Sequence, residues 1–160
     1  MILYHYTAEV CLEPILATGL SIGEAPLSNF KVVNAVNLTS DRSPFGHGLD
    51  MGGKPMAEGH VDAYYRMFGV RYPVGTLFPN KRQLRLTVSV PSADRNLKRW
   101  RSWSRKHCEP GYPEHLESVA GQQGRRAKSW WLYFGVIPPS QIVAIEQLDA
   151  DGSPIKSLSM

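Results

Sequence analysis

The sequence has little sulfur, no long apolar run and none of the common nucleotide or metal signatures. Its two cysteines, Cys11 and Cys108, stand far apart and in no metal-ligand spacing. They read as reduced thiols rather than as a disulfide framework. No apolar run approaches the roughly 20 residues that cross a bilayer. The opening MILYHYTAEV carries no basic stretch and no small-residue cleavage site, so it does not read as a signal peptide. HExxH, CxxC, Walker and GxGxxG patterns are missing, which leaves zinc, P-loop and Rossmann chemistry without support. Internal repeats, linkers and low-complexity segments are missing too. These absences predict a cytoplasmic protein with no resident metal and no membrane partner.

What is present suits a folded domain. The chain has 160 residues, which predicts one domain over residues 1–160. Hydrophobic residues make up 42% and aromatic residues 10%, too many for a disordered chain. The net charge of +4 is unevenly spread. From Lys81 to Lys128, twelve Lys and Arg face four acids, while the remainder of the chain is net acidic. Such a block suits an anionic partner such as nucleic acid or a nucleotide. A solvated basic surface helix is the plainer explanation.

Alternation and turn chemistry divide the chain. Residues 2–7 read as a first strand, with Leu3, His5 and Thr7 on one face and Tyr4 and Tyr6 on the other. Thr7 is a candidate cap for the short helix that follows, and Gly19 suits its C-terminal turn. Residues 21–34 read as a loop, residues 35–40 as a second strand, and residues 41–55 as a long irregular connection. Residues 57–68 suit a helix with Val61, Tyr64 and Tyr65 inward. In residues 84–90, Leu84, Leu86, Val88 and Val90 alternate with Arg85, Thr87 and Ser89, predicting one buried and one wet face. Ser92 or Asp94 would cap a basic helix ending near Arg105, and residues 114–119 are a weaker helix. Residues 129–137 and 141–148 read as strands joined by Pro138-Pro139-Ser140, with a weak last strand after Asp151-Gly152. The expected fold is α+β, with a largely antiparallel sheet and a few helices.

Several residues could carry chemistry. His5 sits mid-strand, either lining a pocket or satisfied by a core carbonyl. Thr39 and Ser40 close the second strand before the long loop, where hydroxyls can hold a ligand oxygen or cap Asp41. Arg42 has the forked donors that suit a phosphate, although it could pair with a nearby acid. In the aromatic strand, Trp130, Leu132 and Phe134 share a face, and Trp131 and Tyr133 share the other. One face must be core, and the second could stack a base or a nicotinamide ring. Arg95, Lys98, Arg99, Arg101 and Arg105 surround Trp100 and Trp103, a mixture that can hold a nucleic-acid strand or simply form an amphipathic helix.

The order of these pieces resembles a known superfamily. His5-Tyr6-Thr7, followed by a short helix and Ile15-Leu16-Ala17-Thr18-Gly19-Leu20, resembles the opening of ADP-ribosyltransferase-like proteins. It is most similar to DNA-modifying ADP-ribosyltransferase toxins and RNA 2′-phosphotransferases. Asn37-Leu38-Thr39-Ser40 and Val136-Ile137-Pro138-Pro139-Ser140-Gln141-Ile142 extend the likeness to the second strand and a late connection. The resemblance implies a split antiparallel sheet, NAD as co-substrate, and transfer of ADP-ribose to a macromolecular acceptor such as nucleic acid. It implies that His5, Tyr6, Thr7 and Thr39 or Ser40 contact NAD. It also implies a carboxylate that stabilises the oxocarbenium charge, for which Glu146 is the strand candidate, with Glu109 and Glu117 as alternatives in non-strand segments. The competing expectation is a non-enzymatic binding or inhibitory protein, phage-associated in kind, that contacts nucleic acid or an acidic protein through the basic, Trp-containing residues 95–106.

Overall fold

The computed structural model describes residues 1–29, 31–49, 52–68, 71–122 and 127–159. In chain order its elements are β1 (Ile2–Thr7), α1 (Leu12–Thr18), β2 (Glu24–Ser28), β3 (Lys31–Asn34), β4 (Val36–Thr39), α2 (Glu58–Phe68), β5 (Leu84–Ser89), β6 (Leu97–Arg99), α3 (Trp100–His107), α4 (Tyr112–Gln122), β7 (Trp130–Tyr133), β8 (Ile142–Leu148) and β9 (Pro154–Leu158). Seven strands form one sheet in the order β6-β7-β4-β1-β5-β8-β9, and β2 and β3 form a separate hairpin. Every recorded strand pair is antiparallel. The α+β class is therefore as expected. No helix of the described residues is long and apolar enough to cross a membrane.

The alternation of the central strands explains why both sheet faces are covered. Leu3, Leu38, Leu84, Leu86, Val88, Tyr133 and Ile145 pack on one face with Ile15 of α1 and with Leu20 and Ile137. Leu132 on the other face joins Trp100, Ala127, Ala25 and Ala35, flanked by Trp103, Trp130 and Phe134. The aromatic strand thus feeds both cores, one residue to each side in turn. β7 and β8 are sequence neighbours but not sheet neighbours. The Pro138-Pro139 connection crosses over β4, β1 and β5 to reach the far side.

Several expectations need correction. Residues 21–34 do not form a loop: β2 and β3 pair from Glu24↔Asn34 to Ser28↔Lys31. The Asn34 side chain clamps their base, accepting from Gly23 N–H and donating to the Ser21 carbonyl. Turn-forming residues were therefore inside a hairpin rather than between elements. The helix expected from Ser92 or Asp94 begins only at Trp100, because Leu97–Arg99 adds to β7 as an edge strand. Asp94 instead accepts from Asn96 N–H at 2.8 Å in the turn before that strand. Thr7 caps nothing recorded. It still pairs with Leu84 in the sheet, and the following turn starts from Ala8 without a side-chain cap. The Glu9 N–H is met instead by Gln83 Oε1 at 3.0 Å. Tyr65 points outward at 49% exposure. Arg85, expected on a wet face, is 3% exposed, because residues 41–47 cross that face of the sheet.

Candidate functional site

β1 and β4 record a single partner pair, Tyr4↔Thr39, whereas β1 and β5 pair along their whole length. Beyond that one pair the ladder between the two strands ends. His5, Tyr6 and Thr7 in a row, and Asn37, Leu38 and Thr39 in a row, line one cavity of about 860 Å³. The volume falls within the range of small-molecule sites, about 300–1,000 Å³.

His5 sits where that ladder ends. Its Nδ1 lies 2.9 Å from the Asn37 carbonyl, which can only accept, so Nδ1 carries the proton. The imidazole N–H thus serves a β4 carbonyl beyond the end of the ladder. Burial pushes the His5 pKa below the usual 6.5, against the opposing effect of that hydrogen bond, and the nearby Lys81 charge adds to the lowering. The ring is therefore neutral at physiological pH, with Nε2 as an acceptor. A neutral acceptor on a cleft wall suits a hydroxyl donor such as a ribose.

Asn37 links this histidine to the hairpin. Its Nδ2 donates to the Glu24 carbonyl at 3.0 Å. Among the described residues, Glu24 is the only carboxylate on the cavity wall and Lys81 the only Lys or Arg. Sequence reasoning missed both. Glu24 opens a segment read as loop, and Lys81 sits in a turn, so neither carried a periodic signal. The cavity roof comes from residues 46–49 and from residues around Tyr72 and Leu77. His47 fastens that roof: Trp130 Nε1 donates to its Nδ1 at 2.9 Å. Its Nε2 lies 3.0 Å from the Ser43 carbonyl. An indole N–H can only donate and a carbonyl only accept, so His47 is held as the Nε2–H tautomer.

The predicted cofactor residues divide. His5, Tyr6, Thr7 and Thr39 line the cavity; Ser40, Arg42 and Tyr133 do not. The Tyr6 hydroxyl donates to the Asp41 carbonyl at 3.1 Å, and burial raises its pKa far above the ordinary 10.0. Thr39 Oγ1 accepts from Asp41 N–H at 3.0 Å and donates to Ser129 Oγ at 3.1 Å, so this hydroxyl does cap Asp41. The Ser40 side chain is exposed, and Tyr133 donates to Asp94 Oδ2 at 3.0 Å within the core.

Glu146 requires the largest revision. Register puts Tyr6, Arg85 and Glu146 on one sheet face and His5, Leu86 and Ile145 on the other. Glu146 Oε2 accepts from Arg85 Nε at 2.9 Å, and Oε1 lies 3.3 Å from Arg42. The Arg85 hydrogen bond holds its carboxyl below the usual range, against desolvation, with further help from both guanidinium charges. Glu146 is a structural counter-ion to a buried arginine and has no access to His5. Arg42 is spent on the same cluster rather than on a cleft ligand.

The basic segment also divides. Arg95, Lys98, Arg99, Arg101 and Arg105 are all exposed, but they do not form one helical stripe. Arg95 precedes β6, Lys98 and Arg99 lie on it, and Arg101 and Arg105 belong to α3. Arg101 is ion-paired with Glu117 at 2.6 Å. No group of three or more His, Cys, Asp or Glu among the described residues could hold a metal ion.

Comparison with known proteins adds no relative: no family model, curated protein or solved structure matches this chain.

Proposed function

We propose that the cleft at the end of the β1–β4 ladder binds NAD, and that the protein is an ADP-ribosyltransferase-like enzyme acting on a macromolecular acceptor. The observation that carries this reading is the neutral His5 imidazole, held by the Asn37 carbonyl, on the wall of a cavity of about 860 Å³. In this reading His5 Nε2 accepts a hydrogen bond from a ribose hydroxyl. Lys81 offers charge to the pyrophosphate. Glu24 takes the part first given to Glu146: its carboxylate stabilises the positive charge that grows on the ribose as the glycosidic bond to nicotinamide breaks. The acceptor nucleophile then bonds to the anomeric carbon, nicotinamide leaves with the bonding electrons, and the acceptor's proton passes to water or to a nearby base.

Titration calorimetry of the whole chain with NAD tests the binding step. Heat of binding at submillimolar to millimolar NAD, lost in His5→Ala, is the expected result. No binding at millimolar NAD overturns the reading. Incubation with labelled NAD and candidate acceptors tests the transfer step, where Glu24→Gln should abolish labelling while NAD still binds. Labelling that survives Glu24→Gln removes Glu24 from the mechanism.

A further inference from the structure

A second concavity lies at the edge of the sheet, where among the described residues no strand lies beyond β6. It measures about 630 Å³ and draws its wall from β6, α3 and β7. Lys98, Arg99, Lys106 and His107 line it together with Trp103 and Trp131, and among the described residues no carboxylate does. Asp94 is engaged by Tyr133 and Asn96 and Glu117 by Arg101, while Glu109 and Glu114, nearer in sequence, are not among the residues that line the groove.

The aromatic rings there already hold planar partners. The Arg99 guanidinium lies 4.3 Å from the Trp131 ring centroid. The His107 ring stacks on Trp103, with centroids 5.1 Å apart and 27° between planes. Cations on a β edge can serve simply to repel another strand. That explains Lys98 and Arg99. It does not explain why α3 brings Lys106, His107 and Trp103 to the same groove.

We infer that this groove binds single-stranded nucleic acid, with Lys98, Arg99 and Lys106 against phosphates and a base stacked on Trp103 in the place that the exposed His107 ring now holds. Charge complementarity selects a polyanion. The stacking ring selects unpaired bases over a duplex, whose bases are turned inward. Trp131 also lines the His5 cavity, so one indole forms the wall between the two sites. A strand in the groove would present a nucleotide beside the cleft. Binding in the groove does not depend on what fills the cleft, and it is measured without NAD.

Fluorescence anisotropy with labelled oligothymidylate tests it on the whole chain. Two triple variants carry the same charge change: Lys98→Ala/Arg99→Ala/Lys106→Ala, inside the groove, and Arg95→Ala/Arg101→Ala/Arg105→Ala, outside it. Circular dichroism checks that both fold. The first should weaken binding at least about tenfold and lower the salt slope by about 2, at roughly 0.7 per phosphate contact. The second should stay within about threefold of the wild type at fixed salt. Equal losses in the two variants would mean charge alone and no seat. A groove variant that binds as tightly as the wild type overturns the inference. So does polyglutamate, or the same sequence as a duplex, binding as well as the single strand.

Discussion

Replacing Glu146 by Ala distinguishes a structural counter-ion from a catalytic acid. The Arg85 side chain is 4% exposed and Glu146 14%, so the pair is largely withdrawn from water. Removing the carboxylate leaves the Arg85 guanidinium buried with only neutral partners, the Arg42 carbonyl and the Tyr6 hydroxyl. Breaking such a pair from one side costs about 3–5 kcal/mol. The Arg42 arm adds little, because that side chain is 62% exposed and such contacts are worth about 0–1 kcal/mol. A loss of about 3 kcal/mol is therefore expected, or about 2 M in urea midpoint at a slope near 1.5 kcal/mol per M. The pH dependence follows from the lowered carboxyl pKa. A carboxylate bound more tightly to its partner in the folded state contributes its full stability above the ordinary value of 4.5. That contribution fades as pH falls through the lower folded value, so wild type and Glu146→Gln should converge in acid. The double change Arg85→Met/Glu146→Leu removes both charges and should recover most of the loss. An unchanged midpoint in Glu146→Ala, or a double variant as unstable as the single, would refute this account. NAD binding unchanged in a folded Glu146→Gln protein is the accompanying expectation.

Three further outcomes follow. Gly19 has φ +90, and a Cβ there would collide with the Ile137 carbonyl oxygen, so Gly19→Ala should cost about 2–4 kcal/mol from backbone strain and disturbed hydrogen bonds, read by urea melting; a change under about 0.5 kcal/mol would contradict the geometry. Trp130→Phe removes the donor to His47 and should cost about 1 kcal/mol while raising the rate of proteolytic cleavage within residues 41–49; an unchanged cleavage rate would show that His47 does not fasten the roof. The His5 pKa is lowered from 6.5, so its folded form resists protonation: the stability it contributes is intact above 6.5 and declines as pH falls from there toward the folded value, and His5→Gln should flatten that part of the stability profile.

The strands with clean alternation were legible in the sequence. Leu84, Leu86, Val88 and Val90 announced β5, and Ile2–Thr7 announced β1, because a period of two needs no tertiary information. Burial was harder to read. Arg85 occupies an outward position by alternation, yet residues 41–47 cover that face, and only the fold reveals the cover. β6 was hidden because its three residues carry two cations and run straight into Trp100. They became a strand through pairing with β7, where tertiary context overrides local preference. The hairpin over Glu24–Asn34 was hidden by its own turn residues, and Glu24 with it. Of the site, the sequence marked His5 and Thr39 by position on strands. It could not mark the end of the β1–β4 ladder, which is a property of two segments far apart in the chain.

The closure between Leu20 and Ile137 has a consequence for the timing of folding. Each residue's N–H donates to the other's carbonyl, both at 2.9 Å, which links the chain's first quarter to its last. β1 is central, yet the bridge that secures the turn beside it waits on a segment made more than a hundred residues later. Long-range pairings of this kind are slow to form and leave early strands unprotected meanwhile. A ribosome-bound chain stopped before Ile137 would hold His5 but no finished cleft. The cleft should therefore be completed only late in synthesis, well after the strand that carries His5 has been made.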